Sequence, residues 1–216
     1  MALSNFSDLK TSVQTWLART DTDFVNTVDD FIELFEAEFN RNMRLESMLA
    51  EATLTTSSSQ GTVNLPSDFL EIDNLSFDSQ PRDITFVTTK QLKQTKIGNQ
   101  NGRPTAYTVT SSSTSGGAKR VLFGPTPDGT YTLTALYYQK VPALNSTNTT
   151  NWLLNTQPGA YLYGTLNQAL VFISDSDRRA EVKAAYNEIL GQLRTEDERA
   201  KSGGHGMRVV TDVGNP

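Results

Sequence analysis

The fold turns on residues 21–56, DTDFVNTVDDFIELFEAEFNRNMRLESMLAEATLTT. In its first part Phe24, Val28, Phe31, Ile32, Phe35 and Phe39 recur at helical spacing. That spacing places them on one stripe of an α-helix. Asp29, Asp30, Glu33, Glu36 and Glu38 fall largely off the stripe and read as a solvated face. The TDTD run ending at Asp23 offers N-caps, and Arg41 and Arg44 come late, which suits the helix dipole. These signals predict a helix from Asp21 to about Leu49. Near Ala52 the apolar period drops to two, in ATLTT, and strand begins.

Working outward, the upstream residues predict a first helix. Ser4 or Ser7 is its candidate cap, Leu9, Val13, Trp16 and Leu17 form its stripe, and it ends near Arg19. Downstream, GTVNLP, DFLEIDNLSFD and RDITFVT read as short strands divided by Ser, Gly and Pro. TTKQLKQTK reads as a short helix beside the sheet, RPTAYTVT as a further strand and SSSTSGG as a flexible hairpin tip. PTPDGT is a compact turn signal between KRVLFGP and YTLTALYYQKV, so the last three strands are expected to form an antiparallel meander. In the final strand Tyr131, Leu133, Ala135 and Tyr137 share one face, and Leu136 and Tyr138 share the other.

Helix returns near Thr156, with Pro158 in a favourable first turn. Tyr161, Leu162, Leu166, Ala169, Leu170 and Ile173 carry its pattern. Ser174 with Asp177 resembles a capping box that opens a last helix, with Val182, Ala185, Tyr186, Ile189 and Leu193 as its stripe, to about Lys201. The tail SGGHGMRVVTDVGNP cannot form a core alone and reads as a flexible arm. The expected class is therefore α+β. Residues 1–51 and 152–201 would build a helical bundle, residues 52–151 an inserted antiparallel β-sheet or sandwich, and residues 202–216 the arm.

Composition narrows the function. The chain has 216 residues and a net charge of −5. An acidic chain is a poor grip for phosphates, which are held by clustered Lys and Arg. Cysteine is absent, which removes disulfides, thiolate nucleophiles and Cys-based metal sites. No apolar run approaches the roughly 20 residues that span a bilayer. The opening MALSNFSDLK lacks a basic region and an apolar core and is not expected to be a signal peptide.

The sequence carries few residues suited to catalysis or metal binding. His205 is the single histidine and lies in GGHG, the opposite of the fixed geometry that a catalytic base needs. Asp29, Asp30, Glu33 and Glu36 suggest a paired-acid or cation site, but a solvated helix face explains them better. Asp73-Asn74 and the Asn145–Asn151 stretch lack the spacing of a calcium loop. The two N-glycosylation patterns at Asn145 and Asn148 are read as chance matches. No phosphate-binding glycine motif is present. No catalytic residue, metal or cofactor is expected. Tyr131, Tyr137, Tyr138, Trp152, Tyr161 and Tyr163 suggest a sugar-binding face, and a phage tail-associated binding module for carbohydrate or host surface is the alternative reading. Core or subunit interface is the plainer account of these aromatics.

Several segments together resemble the head–tail adaptor family of tailed bacteriophages. They are Trp16-Leu17-Ala18-Arg19, FIELFEAEFNRNMR, ATLTT with NLPSDFLEIDNL, GRPTAYTV, LFGPTPDGTYTLTALYYQKVPALN and TTNWLLNTQPGAYLYGTLNQA, in that order, with the final helix and arm behind them. The resemblance spans roughly residues 5 to 200. It implies a non-enzymatic ring subunit of the virion neck, made in the host cytoplasm. The ring, commonly of twelve copies, would dock beneath the portal protein, meet other neck and tail proteins and pass genomic DNA without sequence-specific binding. It also implies a C-terminal arm reaching the portal, with Met207, Arg208, Val209, Val210 and Val213 as candidate docking residues.

Overall fold

A computed structural model describes residues 3–79, 83–94, 101–112 and 116–201. The chain divides into two compact units, residues 1–46 with 141–216, and residues 47–140.

The first unit is helical. Helix α1 (Phe6–Leu17) is capped by Asn5, whose side chain accepts from the Asp8 amide at 3.0 Å, so neither expected serine is the cap. It ends at Ala18, which adopts the left-handed conformation. Helix α2 (Thr22–Asn42) starts on Asp21 as its cap. All six residues of its predicted stripe are buried. It stops seven residues before the expected Leu49. Met43 is already extended, and the Arg44 guanidinium closes the helix end by donating to the carbonyls of Asn40 (2.8 Å) and Met43 (2.6 Å).

The chain re-enters this unit at Val141, eleven residues before the expected return at 152. A short helix α4 (Trp152–Thr156) is capped by Asn151, and α5 (Pro158–Phe172) follows with Pro158 in its first turn. Helix α5 packs against α1, α2, α4 and the last helix, α6 (Ser176–Lys201). That setting explains a helix apolar on nearly every side. Gly164 permits the close approach to α2, because a Cβ there would overlap the Phe35 ring. The cap of α6 is Asp175, whose carboxylate accepts from the Arg178 amide at 3.1 Å. Ser174 has φ of 58° and serves the turn instead of the expected capping box.

The second unit is a β-structure of two facing sheets. One has the order β1-β7-β3, from β1 (Leu49–Thr55), β7 (Thr132–Gln139) and β3 (Phe69–Phe77), all antiparallel. The other has the order β2-β6-β5-β4, from β2 (Thr62–Asn64), β6 (Lys119–Gly124), β5 (Ala106–Ser111) and β4 (Thr85–Phe86), with β4 parallel to β5. The helix predicted in TTKQLKQTK is α3 (Thr89–Gln94). The expected meander fails at its second turn. β5 and β6 form a hairpin, but after PTPDGT the chain crosses to the other sheet and β7 becomes its central strand. The alternation of β7 explains the crossing. Leu133, Ala135 and Tyr137 join Leu54, Leu75 and Phe77 of their own sheet and Tyr107, Val121 and Phe123 of the facing one in a single core. A central strand with apolar side chains on its inner face buries more area there than at an edge.

Candidate functional site

The best-organised polar group in the chain is a buried cluster in the helical unit. Glu36 is 6% exposed and is the only Asp, Glu, Lys or Arg in the buried class among the described residues. It follows Phe35, precedes Phe39 by three and follows Ile32 by four, so it lies on the border of the α2 stripe. The returning segment 141–151 covers that border, which is why the solvated-face reading fails at this position. Glu36 Oε1 accepts from the Leu144 amide at 2.9 Å and from the Tyr161 hydroxyl at 2.9 Å. Asn151 Nδ2 donates to the Tyr161 hydroxyl (2.6 Å) and to the Pro142 carbonyl (2.7 Å), while its Oδ1 accepts from the Leu154 amide (2.8 Å). Asn40 completes the seam by accepting from the Val141 amide at 2.9 Å.

Burial pushes the Glu36 carboxyl up to about 7, and Glu33 on the same helix adds to this, against the two donors that favour the charged form. Burial also raises the Tyr161 hydroxyl well above its ordinary range, with the Glu36 charge as the next cause. The cluster holds chain segments together.

Asp29, Asp30 and Glu33 lie on a wet face as predicted, while Glu38 is half-buried. Asp29 pairs with Lys10 at 2.6 Å, Asp30 and Glu33 are exposed, and Glu38 accepts from Gln168 at 2.6 Å. Among the described residues no group of three or more His, Asp or Glu is placed to hold a metal ion, and no helix is long and apolar enough to cross a membrane.

The aromatic set is dispersed. Tyr161 and Tyr137 are core residues at 0% and 5% exposure, in different units. Tyr131 is tied to Asp128 at 2.6 Å. No single face collects all six. The β unit has an open cleft of about 470 Å3 lined by Phe69, Ile72, Phe86, Tyr107 and Val109, with Glu71, Asp73 and Lys119 among its polar members. Its lining includes no histidine, serine or threonine.

Several large apolar side chains are exposed. Trp16, Leu34, Val171 and Phe172 of the helical unit are each about half exposed, as is Phe86 of the β unit. Trp16 stacks edge-on against Tyr163 (5.7 Å), and Phe172 meets the rings of Phe31 (5.4 Å) and Phe24 (6.5 Å). Sequence reasoning placed Trp16 in a core stripe and missed the α5 end entirely, since exposure depends on where the neighbouring helices stop. The candidate arm residues Met207, Arg208, Val209, Val210 and Val213, and His205, lie outside the described residues.

The exposed apolar side chains and the buried polar cluster are the setting for the comparison with known proteins. The family model of the SU10 adaptor protein matches residues 4–209. The chain belongs to the SU10 adaptor protein family. The match covers both units and the start of the tail, so membership applies to the whole architecture. It makes the chain a structural adaptor of the phage type, as the ordered segments led one to expect. A search of curated proteins finds no match.

Proposed function

We propose that the chain is a ring subunit of a phage neck, seated between the portal and the tail. The family match over residues 4–209 carries this reading. In it, copies of the chain, commonly twelve, associate head to tail and close because the rotation between neighbours permits it. The half-exposed Trp16, Leu34, Val171 and Phe172 suit such contacts, because isolated subunits gain by covering apolar side chains. The net charge of −5 suits a bore that repels DNA and lets it slide. The arm, with Met207, Arg208, Val209, Val210 and Val213, is the element proposed to reach the portal, by adding a strand or filling a groove.

Binding of the purified chain to isolated portal rings tests the reading. Stoichiometric co-sedimentation is the expected result, and its absence would refute the portal as partner. Deletion of residues 203–216 is expected to weaken that binding, and unchanged binding would remove the arm from the interface. A reconstruction of the neck should show the channel lined mainly by acidic and neutral polar side chains. A lining of Lys and Arg would overturn the sliding bore.

A further inference from the structure

Residues 141–151, VPALNSTNTTN, form an irregular strap between the last residue of the β unit and the start of α4. Four hydrogen bonds fix it to the helical unit. The Val141 amide donates to Asn40 and the Leu144 amide to Glu36, both at 2.9 Å; Asn151 donates to the Tyr161 hydroxyl at 2.6 Å; and the Thr149 carbonyl accepts from the Phe6 amide at 2.8 Å. We propose that this strap is a proton-weighted latch, closed on the helical unit when Glu36 carries a proton and loosened when Glu36 is ionised.

The strap contains no titratable side chain, and neither does α4, WLLNT. Helix α5 faces Glu36 with Tyr161, a neutral donor, and α2 itself adds the negative Glu33. Helix α6 brings Tyr186 to the same core, where its ring meets Phe35 and its hydroxyl is raised by burial and by Glu38. None of these groups is a cation. A buried carboxylate with donors but no counter-charge gains by reaching water. Exposing it by separating α2 from α5 would open the packed core around Phe35. Lifting the strap breaks a few hydrogen bonds and uncovers the buried Val141 and Leu144 side chains, a smaller loss than opening the packed rings around Phe35. Protonation relieves the charge and leaves both acceptor contacts at Oε1 in place. Opening would also turn residues 141–151 into free chain and lengthen that connection to the β unit.

The sign follows from linkage. The exposed carboxyl ionises near 4.5 and the closed one near 7. Closure is therefore firmest below 4.5, weakens as pH rises to 7, and is level above that. The test is hydrogen exchange of the full chain from pH 4.5 to 8, corrected for intrinsic chemical exchange, comparing the Leu144 amide with the Leu166 amide of α5. The Leu144 opening constant should rise on the order of 100-fold across the window while Leu166 stays protected. Glu36→Gln should remove the slope. Tyr161→Phe deletes one donor to the charged form, so it should move the upper edge of the window to higher pH, and it serves if Glu36→Gln does not fold. A flat wild-type profile would overturn the latch. So would an unchanged slope in Glu36→Gln, an unmoved edge in Tyr161→Phe, or equal loosening of Leu144 and Leu166.

Discussion

The two units bury different things. The β unit closes its sheets over an apolar and aromatic core, in which Leu75, Val121, Phe123, Leu133 and Ala135 are all at 0% exposure, and it buries no carboxylate or cation among the described residues. The helical unit packs as tightly around Phe24, Phe35 and Tyr161 yet places a carboxylate and an asparagine at the seam of its core. Sheets satisfy their own backbone through ladders, so the β core can be dry. The helical unit must accept a returning segment with no ladder of its own, and its free amides need side-chain acceptors. Glu36, Asn40 and Asn151 supply them. A buried carboxylate hub thus follows from chain connectivity in one unit, while the other, among the described residues, buries only neutral polar side chains such as Thr56.

The sharpest way to break the comparison is at the helix crossing. Phe35→Ala should cost about 4 kcal/mol, since Phe35 is fully buried against Tyr161, Tyr186 and Phe39. Denaturant unfolding measures it, and a loss under about 1 kcal/mol would mean that the crossing is not the core. Gly164→Ala should cost about 2–3 kcal/mol by overpacking, despite its gain in helix propensity. The double variant Gly164→Ala with Phe35→Leu should recover part of that loss.

The hub gives the next effect. Glu36 ionises near 4.5 when unfolded and near 7 when folded, so wild-type stability should fall between those values and level off above 7. Glu36→Gln keeps the acceptor oxygen without the charge. Above pH 7 it should gain on the order of 3 kcal/mol over wild type, and little below 4.5. Thermal melts of both proteins across that range decide it. Parallel curves would make the two units alike in their indifference to pH.

In the β unit the comparable polar site is Thr56, fully buried, whose hydroxyl accepts from the Tyr131 amide at 2.9 Å and donates to the Gly129 carbonyl at 3.1 Å. Thr56→Val should cost about 1–2 kcal/mol with no dependence on pH. The smallest effect is at a helix end, where Asn5→Ala should cost about 1 kcal/mol by stranding the Asp8 amide. Both are read from urea midpoints at fixed pH.

Much of this architecture was legible residue by residue. The stripe from Phe24 to Phe39 is buried as its spacing required, and the strands of DFLEIDNLSFD, KRVLFGP and YTLTALYYQKV form where the period is two. Caps were read less well. Asn5 and Asp175 act where Ser4, Ser7 and Ser174 were expected, because neighbouring polar residues compete for one geometry and the backbone of the turn chooses among them. Of the candidate site, Asp29, Asp30 and Glu33 kept their solvated role, but Glu36 did not, and the exposed Phe172 gave no signal at all.

Sequence alone determined which stretches are helix and strand, because side-chain period is a local property. It also determined the α+β class and, through the order of its segments, the family. Tertiary structure decided that β7 crosses between sheets, that the strap returns at Val141, and that one acid among six on α2 is buried. Those outcomes depend on pairing between residues a hundred positions apart, such as Glu36 with Leu144 and Tyr161, and no local period encodes that pairing.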